Sequence, residues 1–585
     1  MVRPDIAGLM GAYGAALTAK MHDDGQGESS LAELADLEDF SVETSRKTCR
    51  LCQNHCNMTI STFSNGERHV SGNRCERGAS LERIPKKSEL PNLYDWKYKR
   101  IFGYRRPTER AATRGDIGIP RVLNMYENYP FWFTLLTKLK FRVLISARSS
   151  HDVFERGMES IPSENVCYPA KLVHGHIEAL LDKGVKTIFY PNVTFEQKVA
   201  GAHNNFNCPV VATYPEVIRN NMERLQEPDI RFISPFINLG EREHLARRLC
   251  DVFSDWEIPE DEMRVALAAA WEEDAAVKEE IRAKGEESLQ WLRERGIRGV
   301  VLAGRPYHLD PEINHGIPEL IVGLGMGVLT EDSVIDGRLE RPLRVMDQWS
   351  YHSRLYESAA RVGDEPELSL VQLNSFGCGL DAVTSDQVQE ILEGKGDIHT
   401  VLKIDEVSNL GAARIRLRSL EAALEERQSS TVATYPTTDD VNDPDALPTR
   451  GLQTQPAARA AELEQEAIRS GHVIEPAKYT KQMRRDGWEI LAPQMSPIHF
   501  RLIEPMLRRE GYNLRILEHT SRESNEVGLR YVNNDSCYPA IVVIGQLLEE
   551  FTSGRADPSR TAIAITQTGG MCRATNYAAL LRKGL

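Results

Sequence analysis

The tetrapeptide Cys167-Tyr168-Pro169-Ala170 recurs as Cys537-Tyr538-Pro539-Ala540, and the chain before each copy recurs with it. Ahead of the first stand Tyr129-Pro130-Phe131-Trp132-Phe133 with Leu135 and Leu136, then the β-branched run Phe141 to Ile145. Ahead of the second stand Ser496-Pro497-Ile498-His499-Phe500 with Leu502 and Ile503, then Tyr512 to Leu517. The same helix pattern, strand pattern and Cys-Tyr-Pro start at nearly the same distances describe one structural unit used twice. A chain of 585 residues exceeds what one hydrophobic core organises, so the duplication sits in a multidomain protein.

Short apolar runs alternate with amphipathic helical stretches from Pro120 onward, which predicts an α/β fold of several parallel-sheet lobes of Rossmann or flavodoxin type. The expected layout is a closing helix of some upstream domain at 1–20, a linker at 21–45 and a small Cys-rich module at 46–110. An α/β lobe at 118–240 carries the first Cys-Tyr-Pro, and a helical connector at 241–297 leads to a second lobe at 298–428. The Ser, Thr, Pro and Asp-rich stretch 429–475 reads as a flexible linker, and 476–585 as a lobe with the second Cys-Tyr-Pro. That lobe ends on a strand-helix pair and looks truncated, because a parallel sheet would ordinarily add another strand. Gly8, Gly11 and Gly14 make the first helix poor in isolation, so close packing against a bulky partner is expected there.

A balance of 71 basic against 85 acidic side chains argues against a general nucleic-acid binder. No stretch has the length and apolarity of a membrane span. Ten cysteines are too sparse for a disulfide scaffold, and the reading is a cytoplasmic protein with reduced thiols free to bind metal.

Those thiols fall into two sets. Cys49, Cys52 and Cys56, completed by Cys75, have the spacing of a knuckle and hairpin that closes a tetrahedral zinc site or holds an iron-sulfur cluster; the spacing does not choose between them. Cys167 and Cys537 each stand just before an apolar helix with proline next but one, where the helix dipole and free amides favour a thiolate. Cys378, in a glycine-rich loop, Cys572, after Gly569-Gly570, and Cys208, before Pro209, occupy similar loop-to-helix positions. Together these five form a candidate cofactor-binding set, expected to meet at one interface between lobes. Cys250 lies on an apolar helix face and reads as core.

Gly304-Arg305-Pro306-Tyr307-His308 and the following residues to Gly316 lie beyond a predicted strand, where ligands of open α/β sheets bind. His308, Glu312 and His315 are candidate acid-base groups, or else cap that loop. No Walker phosphate loop occurs, and Gly323-x-Gly325-x-Gly327 lacks the setting of a dinucleotide fingerprint.

Residues 46–585 resemble the activase-related proteins of the 2-hydroxyacyl-CoA dehydratase group. The resemblance is carried by Thr48-Cys49 to Gly78, Val166 to Lys171, Gly304 to His308, Asn314 to Pro318, Ser375 to Asp381, Asn534 to Pro539 and Gly569 to Arg573. It implies an oxygen-sensitive iron-sulfur reductase component, akin to the acyl-CoA dehydratases and the double-cubane cluster proteins. Such a component receives low-potential electrons from an ATP-driven, actin-like activase, whose closing helix residues 11–17 resemble. The group's usual three cysteines per [4Fe-4S] cubane would be Cys167, Cys208 and Cys378 in the first copy, against only Cys537 and Cys572 in the second. The alternative is a non-catalytic, zinc-binding scaffold on the same frame. A homo-oligomer is compatible with either.

Overall fold

The computed structural model describes residues 9–22, 40–49, 56–73, 89–337, 339, 342–406, 410–429 and 478–585. They divide into two compact units, Met1–Ile84 and Pro85–Leu585.

In the first unit a three-stranded antiparallel sheet forms from β1 (Val42–Thr48), β2 (Asn57–Phe63) and β3 (Arg68–Ser71). Helix Met10–His22 keeps Met10, Tyr13 and Leu17 exposed. A Cβ at Gly11 or Gly14 would meet nothing within 4 Å, so the close packing expected there is not made among the described residues.

The second unit is built from parallel sheets. Strands β4 (Asp116–Ile119), β5 (Arg142–Ile145), β6 (Thr187–Phe189) and β8 (Arg231–Ile233) join in the order β5-β4-β6-β8, with β7 (Asn192–Phe195) and β9 (Phe236–Asn238) paired alongside. Strands β10 (Gly299–Ala303), β11 (Gly327–Thr330), β12 (Leu368–Ser375) and β13 (Thr400–Ile404) join in the order β11-β10-β12-β13. Every residue of β10 and β12 is buried; β10 accordingly reads as a continuous apolar run, whereas β12 carries the buried polar residues Ser369, Gln372, Asn374 and Ser375. Strands β14 (Glu489–Pro493), β15 (Asn513–Leu517) and β16 (Thr561–Ile563) join in the order β15-β14-β16.

The orders β5-β4-β6 and β15-β14-β16 are one topology, so the sequence duplication is a structural one. It extends to how helices cross. Beyond β5, helix His151–Gly157 packs on helix Tyr168–Asp182; beyond β15, helix Arg522–Tyr531 packs on helix Tyr538–Thr552. Glycine lies at both crossings: a Cβ at Gly175 would sit 1.6 Å from the Val153 carbonyl oxygen, and one at Gly545 would sit 1.9 Å from that of Ser524. No other residue permits that approach without moving a helix.

Within the connector 241–297, helix Arg242–Val252 is followed by one long helix, Glu260–Arg295, closed by Gly296 at φ 61°. Met263, Leu267, Ala270, Val277, Ile281, Leu289 and Leu292 make its buried stripe, and Trp271 meets Phe131 at 4.4 Å between ring centroids. Helix Leu93–Phe102, expected in the Cys-rich module, belongs instead to the second unit. Its Asn92 bridges to Val328, and its Lys97 ammonium pairs with Asp332 at 2.5 Å inside a buried network where Arg354 holds Glu127 and Glu331. The lobes 298–428 and 476–585 share one core, in which Val301, Trp349, Leu370 and Leu380 cluster with Leu491, Ile544 and Leu580. The segment 430–477 lies outside the described residues.

Candidate functional site

All five candidate cysteines of the second unit are helix caps. Cys167 precedes helix Tyr168–Asp182, Cys208 precedes Pro209–Asn221, Cys378 precedes Gly379–Gly394 and Cys537 precedes Tyr538–Thr552. Cys572 precedes the short turn Arg573–Asn576. Proline in the first turn of three of these helices presets the helical backbone where no N–H is needed.

The structure gathers them into two neighbouring groups. Cys167, Cys208 and Cys378 surround Arg305, whose guanidinium hydrogen-bonds Asp381 and lies 4.0 Å from Cys378 Sγ. The charge on Arg305 acts on Cys167 and Cys378, and Cys208 acts on both of those thiols in turn. In the second group the Tyr577 hydroxyl is 2.9 Å from Cys537 Sγ and feels the charge of Cys572 as well.

The two groups meet at the seam between lobes. The Gln348 side-chain amide donates to the carbonyls of Gly570 and Cys572, each at 2.8 Å, and Trp349 Nε1 donates to Met571 O at 2.9 Å. From the far side Arg573 lies against Gly379, where a Cβ would come within 1.7 Å of its guanidinium. Beside Cys208 is a cavity of about 10 Å³ bordered by Asn124, Asn207, Arg305, Trp349 and His352.

At Cys167 and Cys378 the surroundings do not favour a thiolate. Burial, reinforced by the neighbouring Cys208, pushes the Cys167 thiol up to about 12. Burial and then the Asp381 carboxylate push Cys378 up as well, and Arg305 only partly offsets them. Desolvation of a charged sulfur outweighs a helix dipole worth about 0.3–1 kcal/mol. Both residues retain some exposed surface, so the effect comes from a dense protein surrounding rather than complete enclosure.

His308, Glu312 and His315 each make their own hydrogen bond, and Glu312 and His315 both meet Tyr168, whose ring stacks on His315 at 6.3 Å between centroids. His308 is buried, its Nδ1 accepts from the Arg305 backbone N–H at 2.9 Å, and burial and then Arg305 keep it neutral. The His315 ring nitrogen Nε2 bonds the Asp405 carbonyl at 2.6 Å from a left-handed backbone position, φ 53°. Glu312 meets the Tyr168 hydroxyl at 3.2 Å, and burial raises its carboxyl. These contacts brace the loop around Arg305 and tie it to Tyr168, the neighbour of Cys167.

In the first unit Cys49 and Cys56 are buried together with Met58, and the Cys49 N–H donates to the Cys56 carbonyl at 2.8 Å. Cys52 and Cys75, the other two expected ligands, lie outside the described residues. Among the described residues no three His, Cys, Asp or Glu side chains stand where they could hold a single metal ion. Sequence reasoning missed Trp349, Asn124 and His352, which lie far from any cysteine along the chain; Asp381, three residues past Cys378, lay within the quoted segment Ser375 to Asp381 but was given no role there.

Residues 116–334 match the family model described as the CoA enzyme activase uncharacterised domain, DUF2229. The matched span includes Cys167, Cys208 and Arg305 and ends before Cys378. No curated protein matches the chain.

Proposed function

We propose that this chain, which carries a CoA enzyme activase-related domain at residues 116–334, is an iron-sulfur reductase component of the activase-related, acyl-CoA dehydratase group, accepting low-potential electrons from an ATP-driven activase. The observation that carries the reading is the meeting of Cys167, Cys208 and Cys378, three helix caps, around the buried Arg305–Asp381 pair.

The donor set fits an anionic multi-iron cluster better than a lone ion. A cubane spaces its ligands around four irons, which does not demand the tight grouping of a single-ion site, and it welcomes positive surroundings. Arg305 and the three helix N-termini supply them. The bound cluster would supply one-electron chemistry at low potential. The chain's own part is to hold the thiols, neutralise the charge through Arg305, keep Arg305 in place through Asp381 and exclude water by burial. The raised thiols mean that loading releases protons, so cluster assembly is favoured by higher pH.

Anaerobic reconstitution with iron and sulfide tests the reading. The expected product is brown, with broad visible absorption, and Cys167→Ser loses most of that iron. A colourless protein that copurifies with zinc and takes up no iron would replace the reductase by a scaffold. Among the described residues no helix is long and apolar enough to cross a membrane.

A further inference from the structure

The duplication gives two copies of one unit, and one helix face is treated differently in them. Helix Met125–Lys138 leads from β4 to β5 in the first copy, and helix Pro497–Arg509 leads from β14 to β15 in the second. Counted back from the strand that follows, Leu502 stands in the place of Phe131 and Met506 in that of Leu135. Phe131 and Leu135 are 1% and 0% exposed, whereas Leu502 and Met506 are 65% and 67% exposed, and Ile498 on the same stripe is more open still. Phe500 and Leu507 turn the other side of this helix onto the small core of Ala492, Leu514 and Ile516. An open stripe of three large apolar side chains, each one helical turn from the next, marks an interaction surface.

The first copy shows what covers this position. There the connector helix Glu260–Arg295 lies against helix Met125–Lys138, and its Trp271 meets Phe131. Ion pairs fasten the connector: Glu262 with Arg114 at 2.6 Å, and Glu273 and Glu280 with Arg100 at 3.0 and 2.5 Å. The cover is an amphipathic helix with more carboxylates than basic groups, held by arginines beneath it. The second copy has arginines in waiting. Arg501 and Arg509 lie one turn on from Ile498 and Met506, both are exposed, and neither has an ion-pair partner among the described residues.

We infer that the outer face of helix Pro497–Arg509 is the docking seat of an acidic amphipathic helix supplied by a partner protein, the counterpart of the connector over the first copy. Leu502 receives the partner's apolar ridge as Phe131 receives Trp271, and Arg501 and Arg509 take its carboxylates. A second copy of this chain is the poorer occupant, because twofold pairing of this face sets Arg501 and Arg509 against their own images.

The probe is a fluorescein-labelled peptide of residues 260–295, a helix of the required chemistry, titrated into the full chain and read by fluorescence anisotropy. Saturable binding is expected, weakened about tenfold or more by Leu502→Asp, by Arg501→Glu with Arg509→Glu, and by raised salt. These side chains are exposed, so the variants should melt with the unaltered chain; Met506→Asp gives a second apolar variant should Leu502→Asp melt early. No binding, or binding that is equal in the unaltered chain and the apolar variants, overturns the inference. A photo-crosslinker in place of Leu502 tests the occupant. A crosslink to added peptide supports a helix seat. Without peptide, a crosslink between two copies, or into residues 430–477 of the same chain, overturns the inference, because this protein then covers the face itself.

Discussion

At the scale of single residues, charge under burial decides most of what this site can do. Arg305 and Asp381 are both almost fully enclosed, with side-chain exposures of 2% and 3%. Removing one member of such a pair strands the other, at a cost of about 3–5 kcal/mol. Asp381→Ala should therefore lower stability by about that amount, and Arg305→Met with Asp381→Leu should recover much of it; a chemical-denaturation series checks both. A loss below about 1 kcal/mol in the single variant would mean that Arg305 finds another partner or solvent. Histidines supply the pH dependence. Burial holds His176 down to about 3 and His174 to about 4, against about 6.5 in an unfolded chain. Their folded values are depressed, so the unfolded chain binds the proton first. The stability they contribute is complete above about pH 6.5 and falls by about 1.4 kcal/mol per pH unit for each as pH drops toward the folded value. Glu196 and Asp310, raised by burial, act in the opposite sense as pH falls through their raised folded values toward about 4. Melting should therefore weaken between pH 7.5 and 5.5, and His176→Gln should flatten that slope; equal slopes in the two proteins would remove His176 from the account.

Elements repeat the same logic in geometry. The helix crossings at Gly175 and Gly545 leave no volume for a methyl group, since the nearest atoms are backbone carbonyls that cannot turn aside. Gly175→Ala and Gly545→Ala should each cost at least about 1–3 kcal/mol, and because the crossings lie in different lobes their effects should add within about 0.5 kcal/mol. Matching penalties measured by thermal melting would establish that the two copies obey one packing rule. A harmless Gly545→Ala would separate them. The helical character of the connector was legible because the acidic first turn, apolar stripe and closing glycine of helix Glu260–Arg295 are all local signals. Helix Leu93–Phe102 was not assigned to its unit, because its partners, Asp332 and Val328, stand more than two hundred residues away.

In the whole molecule, the loop Gly570–Cys572 is moored by Gln348 and Trp349, so the lobe with the second Cys-Tyr-Pro is registered against the lobe that holds Cys378. Gln348→Ala should leave the global melt nearly unchanged and raise amide exchange across residues 568–576 by about tenfold, the effect of losing roughly 1.4 kcal/mol of local hydrogen bonding. Exchange that stays slow would show that Trp349 alone suffices. The sequence by itself determined the α/β class, the duplication, the helix-cap placement of five cysteines and the connector, because each depends on periodicity or on neighbours within a few residues. Tertiary structure alone decided that Cys167, Cys208 and Cys378 surround Arg305, that the thiols of Cys167 and Cys378 resist ionisation, that His308 and His315 hydrogen-bond the Arg305 backbone and the Asp405 carbonyl, and that His352 has no hydrogen-bond partner among the described residues. Those outcomes depend on burial and on contacts between residues tens to hundreds of positions apart, and desolvation is a property of the packed surroundings that no local pattern contains.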